Sequence, residues 1–140
     1  IEQLTKAGVP VFAMIAPIIP ALNEPEIPAL LQAAADAGAV GAGYTIVRMN
    51  GAVKPVFDNW LHEHFPDRAA KVIAQVSAMH GGSMDDSTFG RRMKGEGEFA
   101  KTVRQLFRIT HRRMFAGRAV PSLRSDLFQR PRFGQLDLFS

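Results

Sequence analysis

Two short apolar runs mark the first third of the chain. Residues 9–19 read VPVFAMIAPII and lie between Gly8 and a turn at Pro20–Asn23, and residues 39–48 read AVGAGYTIVR. Runs of this length without polar alternation are typical of strands that are buried on both faces. The pattern therefore predicts two strands, each covered on both sides.

A helix is predicted between the two runs, over Asn23–Ala37. Asn23 and Glu26 have the spacing of a capping box, and Gly38 suits the C-terminal end. Its apolar positions recur at helical spacing: Ile27, Leu30, Leu31 and Ala34. Strand, helix and strand with short connections form a βαβ unit with parallel strands. Because two strands do not form a stable sheet alone, we expect the domain to begin before Ile1.

From residue 51 onward the pattern becomes helical. Apolar stripes predict helices over Lys54–Phe65 and Asp67–His80, then a polar loop over Ser83–Gly97 and a long basic helix over Glu98–Ala116. The stripe of the first of these helices consists of Val56, Phe57, Trp60, Leu61 and His64. Residues 118–140 are rich in Pro and Arg and are expected to form an extended tail. The pattern therefore divides the chain into residues 1–50, 51–117 and 118–140.

The composition excludes one class of chemistry. The chain has 140 residues, of which 46% are hydrophobic, and it contains no Cys. Disulfides, thiolate metal sites, iron–sulfur ligation and cysteine nucleophiles are therefore excluded within these residues.

The longest apolar stretch contains three prolines, which argues against a transmembrane segment or a signal peptide. We expect a cytoplasmic protein without membrane association.

The charge is distributed unevenly between the two halves. Residues 1–70 carry four basic and seven acidic side chains, whereas residues 71–140 carry thirteen basic and six acidic ones. A basic C-terminal half favours partners that carry phosphate, such as DNA or RNA. The alternative is a solvated helix face without a partner.

Titratable side chains give no catalytic assignment. His62 and His64 point about 200° apart on a helix and do not form a zinc motif. His80 stands alone, and His111 lies among arginines, where it joins a basic surface. Asp85–Asp86 is either an acid pair or a solvated loop or helix cap. No metal site is assigned.

Ligands of α/β folds bind at the carboxyl ends of the strands, here Pro17–Asn23 and Ile46–Asn50. Residues 14–24, MIAPIIPALNE, resemble the fifth-strand segment of radical S-adenosylmethionine (radical SAM) enzymes, although Ala21 stands where Gly is usual. Residues 43–48 resemble the sixth strand. Residues 89–97, FGRRMKGEG, resemble the post-barrel signature of the subgroup related to spore photoproduct lyase, also described as DNA-repair-photolyase-like.

The resemblance implies a fold and an activity. Residues 1–50 would be the last βαβ part of a partial (β/α) barrel, followed by a helical extension over 51–117. In this family three cysteines of an early barrel loop hold a [4Fe–4S] cluster, which cleaves S-adenosylmethionine to a 5′-deoxyadenosyl radical. Because the chain has no Cys, it resembles the C-terminal portion and is expected to be inactive alone. The subgroup implies DNA repair or nucleic-acid modification.

The resemblance also implies binding residues for the cofactor. Apolar contacts to adenine fall on Pro17, Ile18 and Ile19, and backbone hydrogen bonds fall near Tyr44, Thr45 and Ile46. The alternative for Ile18 and Ile46 is that they are barrel core. Arg48 is a charged residue at the end of an apolar strand, and we expect it to contact a substrate or cofactor carboxylate.

The sequence also predicts two regions that bind partner molecules. Contacts to nucleic-acid phosphates are predicted for Arg91, Arg92, Lys94, Arg104, Arg108 and Arg112. The segment Gln135, Leu136, Asp137, Leu138 and Phe139 resembles the pentapeptide with which bacterial proteins bind the β sliding clamp. In the alternative, Leu138 and Phe139 fold back on the domain.

Two other functions remain open. One is a non-enzymatic adaptor that binds nucleic acid or the clamp. The other is an enzyme of this fold that acts on a peptide or small molecule.

Overall fold

The fold is mixed α/β, with most of its residues in helices and one small parallel sheet. The computed structural model describes residues 1–86, 88–126 and 128. Within these residues the strands are β1 (Phe12–Ile18) and β2 (Gly41–Ile46), and the α-helices are α1 (Glu2–Lys6), α2 (Ile27–Asp36), α3 (Val53–His64), α4 (Pro66–Met79), α5 (Arg91–Lys94) and α6 (Gly97–Met114).

The βαβ unit is confirmed. β1 and β2 pair in parallel, with Phe12 opposite Gly41 and an irregularity between Ile15 and Ile18. The backbone N–H of Val47 donates to the carbonyl oxygen of Ile18 at 2.9 Å and extends the pairing past β2. The partial barrel, of which this unit would be the last part, stays a prediction.

The prediction that both strands are buried on both faces is wrong for β1. α2 packs against the sheet, and Phe107 of α6 packs on Tyr44 on that side. On the other face, Phe12 is 54% and Met14 is 61% exposed. The reason is that no element covers this face within the described part of the chain.

The predicted capping box at Asn23 and Glu26 is also wrong. A 3-10 turn occupies Glu24–Glu26, α2 begins at Ile27, and neither has a side-chain cap hydrogen bond. Asn23 instead closes the turn after β1. Its Oδ1 accepts from the Ile19 N–H at 2.7 Å, and its Nδ2 donates to the Pro17 carbonyl oxygen at 3.1 Å.

α3, α4 and α6 lie within one or two residues of their predicted bounds, whereas α2 begins four residues later than predicted and α5 was predicted as loop. Two apolar clusters hold them together. The first joins the sheet with α2 and α6 through residues such as Ile18, Leu31, Ile46, Val103 and Phe107. The second joins the segment after β2 with α3 and α4 through Val47, Met49, Leu61, Val72 and Val76. Among the described helices, none has the length and apolar character needed to cross a membrane.

Candidate functional site

A groove of about 720 Å³ opens where β1 and β2 end. The strand ends and the residues that follow them form one wall, α3 forms the other, and Met93 of α5 closes one side. The lining residues are Pro17, Ile19, Thr45, Ile46, Val47, Arg48, Met49, Val53, Val56, Phe57, Trp60 and Met93. This groove lies at the strand ends, as the parallel topology predicts.

Five of the predicted cofactor residues meet in this groove: Pro17, Ile19, Thr45, Ile46 and Arg48. The other two lie elsewhere. Ile18 is 2% exposed and belongs to the first apolar cluster. The Tyr44 ring packs on Phe107 with ring centroids 4.5 Å apart, and the Tyr44 backbone carbonyl oxygen accepts from Lys94 Nζ at 2.7 Å. For Ile18 the structure therefore matches the core alternative, and Ile46, although it lines the groove, is also 2% exposed and belongs to the same cluster.

The apolar side chains of α3 are the part of the groove that sequence reasoning missed. Within α3 only Leu61 is buried, whereas Val56 is 70% and Trp60 is 37% exposed. Trp60 packs beside Phe57, with ring centroids 5.6 Å apart. Helical spacing predicted these side chains as one apolar face of α3. The stripe is wide, and this width was the sequence signal that some of its residues stay outside the core.

The turn that ends β1 contains the position where the resembled family usually has Gly. Ala21 has φ of +59° there, which is the left-handed region that disfavours residues with a Cβ. The structure thus gives a physical reason why Gly suits this position.

We expect Ala21→Gly to raise the free energy of unfolding by about 0.5–1 kcal/mol, because it removes the steric cost of a Cβ at positive φ. Ala29→Gly is the matched control, since Ala29 is exposed within α2 and glycine costs about 1 kcal/mol there. Urea unfolding measures both. A destabilised Ala21→Gly variant would contradict the assigned turn.

The loop between α4 and α6 holds the end of β2 in place. His80 Nε2 lies 3.0 Å from the Val47 carbonyl oxygen. The Met49 N–H donates to the Met84 carbonyl oxygen at 3.1 Å, and Lys94 Nζ donates to the Tyr44 carbonyl oxygen at 2.7 Å. The position of one groove wall therefore depends on residues 80–94.

A buried ion cluster organises that loop. Asp86 is 4% exposed and accepts from Arg91 Nε at 2.7 Å and from the Thr88 N–H at 3.0 Å, and its carboxylate lies 3.3 Å from His80 Nδ1. The Arg91 guanidinium is the main reason that the pKa of Asp86 lies far below its usual range. Asp86 is thus a structural loop cap, and Asp85 is exposed.

The basic residues predicted for nucleic acid fall into two groups. Arg91 is engaged by Asp86, and Arg92 lies 5.9 Å from the centroid of the exposed Phe89 ring. Lys94, Arg104, Arg108 and Arg112 line two cavities beside β2. The clamp-like segment Gln135–Phe139 lies outside the described residues.

His111 lines the same groove as Arg108 and Arg112, as the sequence predicted, and it has a second role. Its Nε2 accepts from the Ala42 N–H at 3.3 Å, and its ring stacks with Phe115 at a centroid distance of 4.7 Å. The half-buried ring therefore joins α6 to the sheet.

The groove fits the adenosine half of S-adenosylmethionine in its chemistry. Its lining is apolar except for Thr45 and Arg48, and a nucleobase binds between apolar surfaces with few polar contacts. The [4Fe–4S] cluster does not fit this chain. No Cys is present, and the described residues contain no group of three His, Asp or Glu side chains that could hold a metal.

Comparison with known proteins found no matching family model, no matching curated protein and no matching solved structure. The resemblance to radical SAM enzymes therefore rests on the sequence segments quoted above.

Proposed function

We propose that this chain is the C-terminal portion of a radical SAM iron–sulfur enzyme, and that its groove receives the adenosine half of S-adenosylmethionine. One observation carries the proposal. Four residues that the resemblance assigned to the cofactor, together with Arg48, which its charge singled out, line a single apolar groove at the strand ends.

Each lining residue would have a simple task. Pro17 and Ile19 would offer apolar surface to the adenine ring, and Thr45 would offer a hydroxyl group beside it. Arg48 is exposed, and within the described residues it has no carboxylate partner. It is therefore available for the carboxylate of the methionine half, through charge-assisted hydrogen bonds.

The bound cofactor would supply hydrogen-abstraction chemistry, with a cluster whose ligands come from outside this chain. The residues described here would bind and orient the nucleoside and keep water from it. DNA repair or nucleic-acid modification is the setting that the resembled subgroup favours.

The coding sequence ahead of Ile1 tests the enzyme class. The proposal expects an in-frame C-x3-C-x2-C segment there, followed by enough residues for the earlier strands. A reading frame without such a segment would overturn the iron–sulfur part, whereas the groove could still bind a nucleoside.

A non-enzymatic nucleic-acid or sliding-clamp adaptor is the second candidate function. The observation that favours nucleic acid is the row of arginines on α6, Arg104, Arg108 and Arg112, which lines one surface groove. This function would need neither the cofactor nor the cluster.

A further inference from the structure

A second cavity, of about 400 Å³, lies on another part of the surface, between α5 and α6. Lys94 and Arg104 both line it, together with Tyr44 of β2. The charged residues Arg91 and Glu96 line it as well. None of the α3 side chains that line the groove reaches this cavity.

Lys94 is held firmly in this cavity. Its Nζ donates to the Tyr44 carbonyl oxygen at 2.7 Å and lies 3.7 Å from the centroid of the Tyr44 ring. Burial lowers the pKa of Lys94, and the charge of Arg104 lowers it further. The fold thus brings two cations close together in a partly desolvated place, which is costly unless an anion joins them.

The nearby acidic side chains do not supply that anion. Asp86 is paired with Arg91, and Glu96, which is on the rim of the cavity, has its Oε2 3.9 Å from Arg91 NH1. Within residues 1–86, 88–126 and 128, neither Lys94 nor Arg104 forms an ion pair. Lys94 and Arg104 therefore have no carboxylate partner among these residues, although the exposed Glu96 side chain also lines the cavity.

The positive charge continues along α6. Arg104, Arg108 and Arg112 line the adjacent groove of about 510 Å³, which contains no acidic side chain. Residues four apart on a helix are neighbours on one face, about 6 Å apart along its axis. The three guanidinium groups therefore form a row that begins at the Lys94 cavity.

We propose that this cavity binds a phosphoryl group, with Lys94 and Arg104 as its two cationic anchors and with Arg108 and Arg112 as contacts for further anionic groups of the same ligand. Phosphate suits the site because it carries more charge than one carboxylate and accepts the forked hydrogen bonds of Arg. A nucleic-acid backbone and a free phosphorylated compound share this chemistry. The inference deepens the adaptor candidate and is independent of the adenosine groove.

The test uses two probes, a fluorescein-labelled single-stranded oligothymidine and inorganic pyrophosphate. Anisotropy of the labelled strand at several salt concentrations gives the affinity and its salt dependence, and calorimetry gives pyrophosphate binding. Variants Arg104→Gln, Arg108→Gln and Arg112→Gln are compared with Arg113→Gln. Arg113 is exposed on the same helix but lines neither cavity. Lys94 is left unchanged because it also holds the Tyr44 carbonyl.

For a bound strand, each of the three variants should reduce the slope of log affinity against log salt by about 0.7, and Arg113→Gln should leave it unchanged. Pyrophosphate binding that Arg104→Gln weakens, without strand binding, supports the site and identifies a free phosphorylated ligand. The inference would be overturned if neither probe binds, or if Arg113→Gln loses as much affinity as the other three variants. S-adenosylmethionine binding in the groove should be the same in all four variants, which separates this test from the proposed function.

Discussion

Replacing His80 with alanine is expected to lower the free energy of unfolding by about 2–4 kcal/mol. The His80 side chain is buried, with residue exposure of 1%, and its two ring nitrogens face the Val47 carbonyl oxygen and the Asp86 carboxylate. The alanine variant would remove the polar contacts of the ring with both groups and would create a cavity beneath the loop. Both effects are costly in a protein interior.

His62→Ala is the matched control for this prediction. The His62 side chain is 57% exposed, and its Nδ1 lies 2.8 Å from the Asp58 carbonyl oxygen, within one turn of α3. Its loss should change stability by less than about 0.5 kcal/mol. Urea unfolding, followed by circular dichroism, measures both variants. If both variants lose the same free energy of unfolding, or if His80→Ala is as stable as the parent chain, the role of His80 in the loop is contradicted.

Arg48→Gln is expected to weaken S-adenosylmethionine binding about tenfold. A charge-assisted hydrogen bond to a carboxylate contributes about 1.5–3 kcal/mol in partly buried sites. The lower end of this range applies because Arg48 is exposed. Methylthioadenosine has the same nucleoside but no carboxylate, so its affinity should not change. The ratio of the two dissociation constants isolates the contribution of Arg48. Isothermal calorimetry gives both values.

The control for Arg48 is Arg68→Gln, because Arg68 is exposed on α4 and does not line the groove. It should leave both dissociation constants unchanged. A similar loss of affinity for both ligands in Arg48→Gln would mean that Arg48 supports the groove and does not contact the carboxylate.

Most helices and strands could be predicted from the sequence, because the spacing of apolar residues within a short segment determines them. The stripe of α4 predicted Ala69, Val72, Ile73, Val76 and Met79 as core, and all are buried except Ile73, which is half-buried. The helical spacing in α6 predicted an inner face of Phe99, Val103, Leu106, Phe107 and Thr110, of which Phe99 and Leu106 are half-buried and the others are buried. α5 was missed because its four residues are too few to show a period.

Contacts between distant residues were not predictable in the same way. His80 reaches Val47, 33 positions earlier, and Lys94 reaches Tyr44, 50 positions earlier. Neither pair carries a periodic signal, since each depends on how the loop folds back over β2. The Asp86–Arg91 pair was not predicted either. The sequence left Asp86 as part of an acid pair or as a loop or helix cap, and it predicted Arg91 as a contact to phosphate.

The groove was predicted in part. The parallel topology places a ligand site at the strand ends, and this rule located Pro17, Ile46 and Arg48. The opposite wall depends on how α3 packs. Leu61 is the buried residue of that helix and Phe57 packs partly against the same cluster, so Phe57 and Trp60 remain beside the groove.

The most direct test of the central claim is a titration of the chain with S-adenosylmethionine, followed by tryptophan fluorescence. Trp60 is the single Trp of the sequence and lines the groove, so its emission reports on this site. The account predicts a saturable change with a dissociation constant of about 1 mM or lower, which corresponds to about −4 kcal/mol. The absence of a saturable change, with no heat of binding in calorimetry, would contradict it.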